Sequence, residues 1–270
     1  MKMRNDEMKG CIRRSAETAD GISHFSFLIS HYLDKHGFEA LCPKAVLFDM
    51  DGVLYDSMPN HAVAWQRSMA KFGINMTAHD AYATEGARGV DTIREMVYRQ
   101  QGREITEQEA QLMYDEKTHL FHEMPTPSVM DGIPELMSQI AADGLQVGVV
   151  TGSGQRPLIN RLLRDFGQYL DEQHIVTAYD VKRGKPNPDP YLMGLQKMGG
   201  LEPWQALVVE NAPLGVHAGV AARILTIAVN TGPLPDEILM HEGADVIFSK
   251  MTGLSAAWPQ LAQAFKNQNF

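Results

Sequence analysis

Two hydrophobic rhythms alternate along the chain. Short unbroken apolar runs read as strands buried on both faces, and longer segments with apolar positions three or four apart read as helices packed over them. Residues 45–48 (Ala-Val-Leu-Phe) form the first such run, stopped by Asp49, Met50, Asp51 and Gly52. Beyond Gly132 the alternation is regular: helix over 133–142, strand over 146–150, helix over 156–166, short strand over 175–177, helix over 190–198. Strand 206–209, helix 215–221, strand 225–229 and a last strand over 244–248 complete it. Strands separated by single helices need right-handed crossovers, which predicts an α/β fold: a doubly wound, Rossmann-like parallel sheet.

Between the first strand and this alternation no core strand is legible. Helical pieces are predicted over 59–72, with His61, Trp65 and Met69 four apart, and over 92–101 and 107–123. The chain leaves the sheet through residues 56–59 and returns through the stiff Met124-Pro125-Thr126-Pro127. The expected organisation is an N-terminal extension (1–43), a core (44–57 and 126–270) and an inserted, mobile α-helical cap (58–125). Within the extension, Ile22, Phe25, Leu28, Ile29 and Leu33 predict one amphipathic helix ending near Gly37, whereas the charged residues 7–14 predict no clear element.

Composition narrows the partners. A chain of 270 residues, 44% apolar and 21% charged, belongs with ordinary soluble proteins. Its net charge of -9 argues against nucleic acid or an anionic membrane surface as partner. No apolar run has membrane-spanning length, and Phe25-Ser26-Phe27-Leu28-Ile29 is too short for a secretory signal. Two cysteines, Cys11 and Cys42, suggest a reducing compartment without disulfides, so a cytoplasmic protein is expected, with a monomer as the default. Any phosphate ligand must then find its positive charge locally, in a metal or one or two lysines.

Polar residues close each buried strand. Asp49 and Asp51, one residue apart, leave an extended backbone on the same face at the sheet's ligand-binding end. Such a pair needs a cation or a shared proton; a pair that merely caps the loop is the alternative. Thr151-Gly152-Ser153-Gly154 offers a hydroxyl and free amides to phosphoryl oxygens, although a plain turn capped by Thr151 or Ser153 also fits. Lys185 precedes Pro186, Pro188 and Pro190, whose stiffness holds its ammonium in place, while Lys182 and Arg183 read as solvated. Glu210 and Asn211 are hard oxygen donors suited to Mg²⁺, with Asn211 as a helix cap the alternative.

In this order the four motifs resemble those of the haloacid dehalogenase (HAD) superfamily of phosphohydrolases, in its β-phosphoglucomutase-like subfamily, from residue 44 to about residue 251. The resemblance implies Asp49 as nucleophile, Asp51 as acid and base, and Thr151 and Lys185 as phosphoryl binders, helped by Gly152 and Ser153. It implies Mg²⁺ held by Asp49, Asp51, Glu210 and Asn211. His61 matches the cap hinge of these enzymes. The mutases grip a second phosphate through basic cap residues, but here Glu85 stands where their lysine falls, and Gly154 replaces another of their bases.

Glu85 paired with Asn211, together with Tyr114 and Lys117 on a later cap helix, resembles the inorganic pyrophosphatase branch. Glu85 would restore to the metal the charge that Asn211 lacks, and Tyr114 and Lys117 would contact the leaving phosphate. A half-buried tyrosine beside a solvated lysine is the plainer reading of that pair. Pyrophosphate is therefore the expected substrate, with a sugar-phosphate phosphatase or mutase as the alternative and a non-catalytic phosphate binder as the third. Arg88, the one base on the first cap loop, could face either substrate or solvent.

Overall fold

A computed structural model describes residues 21–154 and 156–267. The charged segment at 7–14 and Cys11 lie outside the described residues; Cys42 is a free, exposed thiol. Helix α1 (Gly21–His36) precedes strand β1 (Ala45–Phe48), and four helices follow: α2 (Met58–Lys71), α3 (Ala78–Ala83), α4 (Gly89–Gln101) and α5 (Glu107–His122). The chain then runs α6 (Ile133–Ala142), β2 (Gln146–Val150), α7 (Arg156–Phe166), β3 (Leu170–Val176), α8 (Asp189–Lys197) and β4 (Ala206–Glu210). It ends with α9 (Pro213–Ala221), β5 (Leu225–Val229), α10 (Asp236–His241), β6 (Val246–Phe248) and α11 (Met251–Lys266). No helix among the described residues is long and apolar enough to cross a membrane.

The six strands form one parallel sheet in the order β3-β2-β1-β4-β5-β6. The chain winds outward from β1 through β2 to β3, then crosses to β4 on the other side, so the winding reverses between β1 and β4. A crevice opens beyond the strand ends at such a point. Every residue of β1, β4 and β5 is buried, which explains their unbroken apolar runs. β3 is longer than expected because it is an edge strand whose Asp171, Glu172 and Gln173 face solvent and hide its start. β6 begins later than expected, at Val246. Helices α3, α10 and α11 were not expected; Pro259, which reads as a breaker, lies inside α11.

One face of the sheet packs under α1, α6, α7 and α11, with Phe25, Ile29, Ile140, Leu162 and Trp258 in the cluster. Helix α1 thus belongs to the core: Phe25 and Tyr32 are fully buried, and the Tyr32 hydroxyl donates to the Arg223 carbonyl at 2.9 Å. The opposite face packs under α8 and α9 around Leu47, Val150, Tyr191 and Val208. Helices α2 to α5 enclose a separate cluster including Trp65, Met69, Ile93, Met96 and Met113.

The two passages between sheet and helical block are joined. Asp56 N–H donates to the Ser128 carbonyl at 3.0 Å and Met130 N–H to the Leu54 carbonyl at 2.9 Å. The Asn60 side chain donates to the Pro125 carbonyl at 2.8 Å. Arg161, stacked 4.0 Å from the Tyr55 ring centroid, donates to the Pro127 carbonyl.

Candidate active site

Asp49 sits one residue past β1, its N–H donating to the Val209 carbonyl at 3.0 Å, so the β1–β4 pairing carries it to the floor of the crevice. The chain then turns at Gly52, whose φ of +78° suits glycine; a Cβ there would lie 2.2 Å from the Asn211 amide nitrogen. Both facts place the Asp49–Gly52 turn against the end of β4.

Lys185 is buried beneath this turn and all three of its ammonium protons are engaged: with Asp49 Oδ1 at 2.5 Å, Glu210 Oε1 at 2.7 Å and the Val150 carbonyl at 3.0 Å. Glu210 Oε1 also accepts from the Tyr191 hydroxyl at 2.8 Å, and Oε2 from the Asn211 and Ala212 amides at 3.0 and 3.2 Å. A carboxylate has about four lone-pair sites, and protein donors fill them all here. In this arrangement Glu210, expected from sequence among the metal ligands, holds Lys185 and the turn after β4. Neither this saturation nor Tyr191 was legible in sequence, because only the fold brings residues 185 and 191 onto Glu210.

Asp51 faces the cap. Ser57 Oγ donates to its Oδ1 at 2.6 Å, and His61 Nε2 lies 3.1 Å away. Lys117 Nζ is 2.7 Å from His61 Nδ1; an ammonium only donates, so Nδ1 accepts and Nε2 carries the proton given to Asp51. Lys117 is buried, contrary to the plainer expectation of a solvated lysine, and its ammonium lies 5.1 to 5.8 Å from the ring centroids of Trp65, Tyr114 and Phe121. Burial pushes Lys117 down to about 8, against the attraction of Asp51 and Glu85. Burial works to raise Asp51, but His61, Ser57 and Lys117 outweigh it and hold this carboxyl at about 2. Ser57 stands at the N-terminal cap position of α2, yet its side chain makes no cap bond and serves Asp51 instead.

The loop around Gly86 lies directly on the loops that carry Gly152 and Lys185. A Cβ at Gly152 would meet the Gly86 carbonyl oxygen at 3.0 Å, and one at Gly86 would meet Lys185 Cδ at 3.1 Å. Arg88 turns away from the crevice, donating to the Lys182 carbonyl at 3.2 Å and lying 3.6 Å from Glu107. The ring of Tyr114 covers Gly89. Asp49, Asp51, His61, Glu85, Tyr114, Lys117, Thr151, Gly152 and Ser153 line one cavity of about 70 Å³. The Thr151 hydroxyl accepts from Ser153 N–H at 3.1 Å, so its own proton is directed elsewhere.

No group of three or more His, Cys, Asp and Glu side chains among the described residues forms a metal cage by itself. Two oxygens nevertheless lie buried without a donor, Glu85 Oε1 and Asn211 Oδ1, and their residues touch through Asn211 Nδ2 and Glu85 Oε2 at 3.2 Å. Burial first, then the Asp49, Asp51 and Glu210 charges, drive Glu85 well above the usual carboxylate range. Burial likewise raises Asp49 to about 8, with Glu210 and Asp51 adding to the rise and Lys185 opposing it. Crowded carboxylates beside orphaned hard oxygens suit a divalent cation, so the residues present fit Mg²⁺.

A profile of haloacid dehalogenase-like hydrolases matches residues 43–223. The chain is 34% identical over 187 residues to hexitol phosphatase A of Escherichia coli, covering 69% of this chain and 83% of that protein. It is 30% identical over 220 residues to validoxylamine A 7'-phosphate phosphatase of Streptomyces hygroscopicus subsp. limoneus, covering 81% and 98%. A solved structure of a candidate beta-phosphoglucomutase from Bacteroides vulgatus superposes with a TM-score of 0.86 at 48% identity, covering 90% of this chain and 98% of that one.

Proposed function

The chain belongs to the haloacid dehalogenase-like hydrolase family, and from that premise we propose that it hydrolyses a small phosphate compound through a phosphoryl group carried on Asp49. The observation behind this reading is the single cavity that joins Asp49 and Asp51 to the Thr151–Ser153 loop and to the cap residues Lys117 and Glu85. Asp49 attacks phosphorus, Lys185 neutralises charge on the transferring group, and the Thr151 loop receives its oxygens. Asp51 gives a proton to the leaving oxygen and takes one from the water that later releases phosphate. The incoming phosphoryl charge favours the protonated form of Asp51 for the first half, and the anion favoured by His61 and Ser57 serves the second. Asp49, the Asp51 carbonyl, Asn211 and Glu85 would hold Mg²⁺, which when bound supplies positive charge at the phosphoryl oxygens. Helices α2 to α5 act as the cap that closes over this chemistry.

The relatives' names favour a phosphorylated polyol or sugar as substrate over the pyrophosphate expected from sequence, and this is the first reading. Pyrophosphate is the second, favoured by one observation. The cap acid Glu85 reaches Asn211 across the crevice, where a sugar would otherwise lie.

A substrate panel with Mg²⁺ separates the readings. Hexitol or hexose phosphates turned over at least tenfold better than pyrophosphate, by kcat/KM, support the first reading, and the reverse order supports the second. No turnover of any phosphate compound, or full turnover by Asp49→Asn, overturns both.

A further inference from the structure

Lys185 has no spare proton. Its three N–H donors are committed to Asp49, Glu210 and the Val150 carbonyl, yet the phosphohydrolase reading requires it to serve a phosphoryl oxygen as well. One of the three bonds must therefore be given up when the anion arrives. The Asp49 bond holds the nucleophile in place, and the Val150 bond fixes the lysine to the end of β2. The Glu210 bond has a substitute: its Oε1 also accepts from the Tyr191 hydroxyl at 2.8 Å.

Tyr191 is fully buried in the first turns of α8, six residues beyond Lys185, so one loop-and-helix unit delivers both donors to the same oxygen. The Lys185 ammonium lies 5.1 Å from the Tyr191 ring centroid. Glu210 has no exposed surface, so water cannot replace a lost donor.

From this geometry we infer that Tyr191 is a positioning residue: its hydroxyl keeps Glu210 satisfied while Lys185 turns one proton from Glu210 to the phosphoryl group. Without the hydroxyl, releasing Lys185 strips Oε1 of every donor, and an unpaired buried carboxylate oxygen is costly. Lys185 then stays on Glu210, and the phosphoryl group binds less tightly. The inference rests on the phosphohydrolase reading.

Tyr191→Phe isolates the hydroxyl, since the ring and its contact with the ammonium remain. Calorimetric titration with inorganic phosphate in the presence of Mg²⁺ should show Kd rising about tenfold or more, with thermal unfolding confirming an intact fold. Equal affinity in the two proteins overturns the role of Tyr191 and leaves the phosphohydrolase reading standing. Failure of the unsubstituted protein to bind phosphate at all overturns both. In a Glu210→Gln background no anionic oxygen needs shielding, so adding Tyr191→Phe should leave phosphate affinity unchanged. That pair carries the test if Tyr191→Phe alone does not fold, and a further tenfold loss within it overturns the inference.

Discussion

A carboxylate usually gains a proton when it is covered, and Asp51 resists because Ser57, His61 and Lys117 stand in line behind it. Lys117 is the far end of that line. Lys117→Met keeps the apolar contacts but frees the His61 tautomer, so kcat/KM should fall at least tenfold by steady-state kinetics with little change in unfolding temperature. Lys117→Arg should not restore activity, because the aromatic walls fit a compact ammonium. Asp49 and Glu85 behave oppositely: both are raised, Asp49 to about 8, so the folded protein holds protons that the unfolded chain has already lost. The metal-free protein should therefore lose stability as pH rises from about 4, the unfolded carboxylate value, to about 8. A divalent cation bound there would replace those protons. The gain in Tm from Mg²⁺ over EDTA should thus grow between pH 5 and pH 8, and Glu85→Gln should shrink it.

At the scale of elements, the first cap loop and the Thr151 loop touch backbone to backbone at Gly152. Gly152→Ala should wedge them apart, lowering kcat/KM about tenfold and speeding amide hydrogen exchange over residues 84–88, while the sheet exchanges as before. Elements with an unbroken apolar run or a regular apolar face were legible in sequence: β2, α6 and α7 lie where the apolar rhythm placed them. The start of β3 was not, since Asp171, Glu172 and Gln173 face water at the sheet edge, nor was α11, whose buried Leu254, Trp258 and Leu261 are interrupted by Pro259. Within the site, the strand-end residues were legible because position alone singles them out. The bonds that saturate Glu210 were not, because they join residues 185, 191 and 210, which only the fold brings together.

For the molecule as a whole, α1 is part of the structure that the sheet needs. It packs along α11, with Phe25 fully buried against Phe248 at a ring-centroid distance of 6.5 Å. Phe25→Ala should cost about 3–5 kcal/mol in urea unfolding and leave KM unchanged, because Phe25 packs on the edge strand β6, three strands from β1, and does not line the crevice. Helices α2 to α5, in contrast, have an apolar cluster of their own and are joined to the core along the chain by two passages bonded side by side. Two cords tied at several points act as a strap, which folds along one crease and resists being wrung. If α2 to α5 swing over the crevice as the proposed cap, that motion has one coordinate, and reporters placed anywhere on those helices should relax with a single shared time constant.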